Sequence, residues 1–289
     1  MEETAPAAAV RNRHDRLGHR LAVVPALLLV AGAAIVPLCL LLFSSLVDQR
    51  TGSPTFGYYR QALANPFFLR TLATTMLMGL GVTLLSLVLA LPMAYVLARR
   101  TMLRTIVLPV ISIPRMLPVV VVGYGIILLL APYTGVVNKF LVTAGLVDRP
   151  AFILFDWPGQ ALTFLYSGVV VAITILTGVL MTVDPQMEDA AVSLGAGRLQ
   201  AVLTVTLPLC MPGVIAASAL IFSTVVTAYS VPVMLNSRTP YMVSVVIYNN
   251  FYTLQERHLA YAQAIIVTVL SLGVTAVAQV FLSRFGRRS

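Results

Sequence analysis

Glu188 and Asp189 stand side by side, followed at once by Ala190 and Ala191 and, four positions on, by Gly195. Paired carboxylates serve acid–base chemistry or bind a metal when a histidine, a thiolate or further acids join them. The three histidines, His14, His19 and His258, lie elsewhere in the chain and assemble no cluster with these acids. Cys39 and Cys210 form no CxxC pair and have no companion histidine, so neither a disulfide framework nor a metal site is expected. A GxSG-type nucleophile turn is missing, as is the phosphate cradle GxxxxGK followed by Ser or Thr. Gly195-Ala196-Gly197-Arg198 lacks a third glycine and follows a helical pattern, not a strand, so it fails as a dinucleotide loop. No catalytic residue, metal or cofactor is expected in this chain.

The element that must carry the paired acids starts at Asp184, a helix-capping residue, with Pro185 at the first helical position. Glu188 and Asp189 then fall early in the helix, where its dipole favours negative charge. Met187, Ala190, Ala191 and Leu194 recur at i, i+3, i+4 and i+7 and form one narrow apolar face of mostly small side chains. Gly195 permits a left-handed stop. A second helix is expected from Arg198, with Leu199, Val202, Leu203 and Leu207 on its apolar side, ending at Pro208. Small residues let such a helix enter a groove closely, and its early acids can pair with basic residues at the rim. An ordinary amphipathic helix fits the same spacing.

The surroundings are apolar. Hydrophobic residues make up 59% of the 289, charged residues 10%, and the mean hydropathy is +0.93. Soluble domains carry about 25% charged residues, so this chain reads as an all-α integral membrane protein. Six runs are long enough to cross a bilayer as helices: 21–47, 72–98, 106–131, 161–183, 212–235 and 259–282. The first exceeds the roughly 7–15 apolar residues of a signal core and reads as a retained span. The expected organisation is a tail over 1–20, a six-span domain over 21–283 containing the loop 184–208, and a tail over 284–289. Eleven Lys and Arg, from Arg11 to Arg288, flank the spans on the side of the N-terminus, against seven on the other, from Arg50 to Arg257. That bias places both termini and the loop 184–208 in the cytoplasm. It also accounts for the net charge of +9, and no basic run interleaved with aromatics suggests nucleic acid. On the far side, 135–145 reads as a short amphipathic helix with Val137, Phe140, Leu141 and Ala144 on one face, and Trp157 suits an interface belt.

Asp189-Ala190-Ala191, three residues, Gly195, nine residues and then Val205-Thr206-Leu207-Pro208 resembles the EAA loop of ABC importer permeases, with Asp in place of Glu and Val in place of Ile. The resemblance implies that Glu188, Asp189, Ala190, Ala191, Gly195, Leu207 and Pro208 couple the chain to a cytoplasmic ATPase subunit. It also implies a second, non-identical six-span permease, two ATPase subunits holding ATP and magnesium, an extracytoplasmic substrate-binding protein, and alternating access in the inner membrane. Thr55-Phe-Gly-Tyr-Tyr-Arg60, Asn65-Pro-Phe-Phe68, 91–98, Gly123-Tyr-Gly125 and 243–250 are similar to the first membrane subunit of spermidine/putrescine transporters.

All ten carboxylates lie outside the apolar runs or at their edges. A proton- or sodium-coupled carrier needs ligands at mid-membrane, so ion coupling is disfavoured. For the solute, the resemblance implies a polyamine, and Tyr124, Tyr229 and Tyr248 offer aromatic faces to a cation. Arg115, within Ser112-Ile-Pro-Arg-Met-Leu-Pro118, points the other way, to an anionic or zwitterionic solute, unless it snorkels or serves carbonyls freed by Pro114 and Pro118. A non-transport scaffold or channel whose inner loop binds a regulator is the other class of reading.

Overall fold

The computed structural model describes residues 25, 29–33, 35–49, 51–150, 154–235 and 242–286, with all their side chains except those of 114, 115, 119, 120 and 283–286. The tail expected over 1–20 and part of the first apolar run lie outside the described residues. In chain order the helices are α1 (Leu29–Ser45), α2 (Gly57–Ala64), α3 (Pro66–Arg99), α4 (Thr101–Met116), α5 (Val119–Leu130), α6 (Val136–Thr143) and α7 (Trp157–Leu180). They continue with α8 (Pro185–Ser193), α9 (Arg198–Leu209), α10 (Met211–Val226), α11 (Ser230–Met234), α12 (Val243–Tyr248) and α13 (Arg257–Gly286).

Asn65 shows why the longest helix starts where it does. Its side chain accepts from the amides of Phe67 and Phe68, at 3.0 and 3.3 Å, and Pro66 fills the position that needs no donor. From there α3 runs for 34 residues and packs along α7 and against α10. The approach of α3 to α7 depends on Gly168, where an added Cβ would meet Ser86 Oγ and, at 3.2 Å, Ile221 of α10. Small residues at such crossings let lipid-embedded helices pack backbone to backbone. The central core gathers Leu87, Ala94, Phe164, Ile173, Leu176 and Ile221. Leu77, Leu84, Val269 and Leu272 face outward, as lipid-facing side chains do.

Six uninterrupted crossings are not found among the described residues. Among the described residues three helices are long and apolar enough to span a membrane, α3, α7 and α13, or four if α9 and α10 together make one. Prolines explain the difference. Pro118 lacks an amide proton and holds extended backbone, so the expected run 106–131 is split into α4 and α5, each short of a full crossing. The run 212–235 ends as a helix at Val226 and resumes at Ser230 for five residues. Pro212 sits in the first turn of α10, where it cannot continue the ladder from α9, and the two helices meet at 68°. Of the expected span 21–47, the described residues include α1.

Pro208 does not end the second helix of the loop, as its sequence position suggests. It is absorbed by a π-helical turn over Val202–Thr206, in which the Leu207 amide reaches back to the Val202 carbonyl, and the helix continues to Leu209. The helix expected in 135–145 is present as α6, but its protein-facing residue is polar. Asn138 is buried and donates to the carbonyls of Leu130 and Ala131, at 2.9 and 3.2 Å, closing the end of α5, whereas Phe140 is exposed.

Candidate functional site

The loop 184–208 folds as its residues dictate. The Asp184 carboxylate accepts from the Gln186 amide at 2.9 Å, Pro185 occupies N1, and α8 follows. At the other end Gly195 takes φ +96°, with Gly195 N–H bonding Val192 O at 2.9 Å and Ala196 N–H bonding Ala191 O at 3.1 Å. Nothing lies within 4 Å of where a Gly195 side chain would start, so its requirement is conformational.

No residue of α8 is buried. Leu194 is 90% exposed and Met187 51%, and Asp189, Ala190 and Gly195 are exposed beside them, with Ala191 half-buried. The apolar face read from the sequence is therefore open. Leu207 and Pro208 are half-buried in α9, back towards the bundle.

Glu188, about 100° round the helix from the exposed Asp189, is half-buried. Tyr95 Oη donates to its Oε2 at 2.7 Å, Thr206 Oγ1 donates to Oε1 at 2.5 Å, and Arg99 Nη2 donates to the same Oε1. Arg99 Nη1 also donates to the Val183 carbonyl at 3.0 Å, and its guanidinium lies over the Tyr95 ring, 5.7 Å from the centroid. The ion pair is largely out of water, with side-chain exposures of 18% and 13%. Burial pushes the Glu188 carboxyl up, but the hydrogen bonds from Thr206, Tyr95 and Arg99, together with the Arg99 charge, outweigh it and hold the group below the usual carboxylate range. This acid, expected from the sequence to meet a partner's rim, is paired within the chain. Sequence reading missed Tyr95 and Arg99, which lie 93 and 89 positions earlier. Thr206 had a signal, as the free position between Val205 and Leu207 of the motif.

The aromatic candidates divide. The Tyr229 and Tyr248 rings lie 4.5 Å apart, and Tyr252, one helical turn beyond Tyr248, extends the stack at 4.6 Å. The i, i+4 spacing of Tyr248 and Tyr252 was the available signal for the third member. Tyr124 is exposed on α5, and among the described residues no ring contact joins it to the stack. Arg115 falls in α4, and its side chain lies outside the described residues.

Residues 86–288 match the family of binding-protein-dependent transport system inner membrane components, and the chain belongs to that family. The sulfate transport system permease protein CysT of Salmonella typhimurium is 27% identical over 272 residues, covering 92% of this chain and 96% of its own. The spermidine/putrescine transport system permease protein PotB of Escherichia coli is 26% identical over 209 residues, covering 72% and 76%. A chain of a bacterial ABC transporter involved in the import of the acidic polysaccharide alginate shares the fold, with a TM-score of 0.66 at 19% identity over 97% of this chain and 98% of that one. The protein is accordingly a multi-pass inner-membrane permease subunit of an ABC importer, a non-catalytic component that moves a small solute in company with an ATPase and a binding protein. The relatives do not single out a polyamine carrier.

Proposed function

We propose that α8 is the coupling helix of this permease, seated in a cytoplasmic ATPase subunit through Met187, Asp189, Ala190, Ala191, Leu194 and the turn at Gly195, with Leu207 and Pro208 shaping the support behind it. The observation that carries the reading is an apolar helix face left without any buried residue while Glu188, about a third of a turn round the helix, is bonded to the bundle. ATP and magnesium belong to the ATPase. The excess of basic residues on one side supports a cytoplasmic loop 184–208 and cytoplasmic termini. The similarity to one of two subunits of spermidine/putrescine transporters supports a second, non-identical permease as companion. ATP-driven closure of the ATPase pair would move α8 and alternate the access of a central cavity.

For the solute, an anion is favoured over a polyamine. The sulfate permease aligns over 92% of this chain, against 72% for the spermidine/putrescine permease. In addition, α3, α7 and α10 carry no acid to receive a polycation. The test uses the assembled importer in proteoliposomes, loaded with radiolabelled sulfate, a dicarboxylate or spermidine. Uptake of either anion above that of spermidine is expected, and preference for spermidine restores the polyamine reading. Gly195→Val should insert normally, release the ATPase on purification and reduce uptake by about 5- to 150-fold, the span of coupling free energies of about 1–3 kcal/mol. Unchanged uptake by that variant overturns the docking assignment.

A further inference from the structure

The attachment of α8 to the membrane helices is narrow. It buries no residue of its own, and among the described residues its side-chain bonds to the bundle all end on Glu188. The donors come from two places. Tyr95 and Arg99 belong to the last turns of α3, and Thr206 to the π-helical turn of α9. Arg99 reaches a second point with its other nitrogen, the Val183 carbonyl just ahead of α8. The charges suit the helix ends that hold them. A guanidinium at the C-terminal end of α3 meets that helix's negative pole, and a carboxylate in the first turn of α8 meets its positive pole. Arg99 bonds at once to a carboxylate and a carbonyl, which fixes orientation as well as distance.

The far end of the connection is rigid. α3 packs on α7 at Ser86 and Gly168, and on α10 at Gly79, where an added Cβ would lie 3.0 Å from the Phe222 ring. A displacement of α8 is therefore passed to the helix that the other two pack upon through the largely dehydrated Glu188–Arg99 pair and the Tyr95 bond beside it.

We propose that Glu188, held by Arg99, is the linkage that transmits movement of α8 to α3, a positioning residue for transport and not part of the ATPase-facing surface. The inference rests on the reading of α8 as the coupling helix. It assigns separate tasks to the adjacent acids, Asp189 outward to the ATPase and Glu188 inward to the span.

The test is made on the importer complex in proteoliposomes, reading ATPase retention on purification and solute moved per ATP hydrolysed. Glu188→Gln should retain the ATPase while transport per ATP falls about 2- to 30-fold, the range for residues that alter coupling without touching either ligand. Arg99→Lys, which keeps the charge but not the two-armed contact, should do the same and serves if Glu188→Gln is not recovered from membranes. Exchanging the charges, with Arg99→Glu and Glu188→Arg together, should restore transport per ATP above that of either single reversal. Unchanged transport per ATP in Glu188→Gln with the ATPase bound overturns the linkage and leaves the docking reading standing. Loss of the ATPase from Glu188→Gln also overturns it, since the residue then belongs to the docking surface. Retention of the ATPase by Gly195→Val removes the docking reading and the linkage with it.

Discussion

Glu188 carries its charge in a setting that opposes and then rewards it. Because donors and the Arg99 charge hold its carboxyl below the ordinary value of 4.5, the unfolded chain takes up the proton first as pH falls. The contribution of Glu188 to stability is therefore fully present above about pH 4.5 and lost as pH falls further, through the folded value. Other ionisable groups around it are Tyr95 and Arg99 of α3 and Cys210 between α9 and α10. The difference in Tm between the wild-type chain and Glu188→Gln should stay constant from neutral pH to about 5 and shrink below 4.5. A difference that grows on acidification would contradict this. At this scale the local signals were legible: Asp184 as cap, Pro185 as first residue and Gly195 as stop follow from chemistry within a turn of each residue. The partners of Glu188 were not, because neighbours in space 89 positions apart leave no mark in the spacing.

Among the elements, the packing of α3 on α7 is decided by side chains that are missing. Gly168 leaves room for Ser86, and a valine there would overpack the crossing, since even its Cβ would crowd Ser86 and come within 3.2 Å of Ile221. Gly168→Val should destabilise the purified chain by about 1–3 kcal/mol, read as a lower Tm in detergent. Gly178→Val, on the same helix with nothing within 4 Å, should stay within about 0.5 kcal/mol of wild type. Equal effects from both would show that the loss comes from the helix itself and not from the crossing. The long apolar runs that became α3, α7 and α13 were readable from hydropathy alone. Where prolines interrupted a run, counting apolar residues could not separate one crossing from two short helices. Pro118 stands just ahead of α5 and Pro212 in the first turn of α10, positions where a helix needs no amide donor.

Taken whole, the chain has two kinds of surface. Its outward faces are apolar along the bundle, and only 6% of the apolar window of α13 is buried against the rest. At one end, the small projecting α8 is solvated. A molecule of this shape has its working contacts with lipid and with other chains, as its family membership requires. That overall class was legible from composition. The solute was not, and even the tyrosine cluster of Tyr229, Tyr248 and Tyr252 is brought together only by tertiary structure.

The 68° turn between α9 and α10 sets a demand on the surrounding lipid. With α9 out of line, α10 has 16 residues, about 24 Å at 1.5 Å each. That is less than the roughly 30 Å of an average hydrocarbon layer. Where α10 crosses alone, the bilayer beside it thins or the helix is drawn inward, at a cost that grows with every methylene added to the acyl chains. Transport reconstituted in a series of phosphatidylcholines should peak in short-chain lipids and decline steadily in longer ones, and a flat profile would mean that the turn relaxes when the membrane thickens.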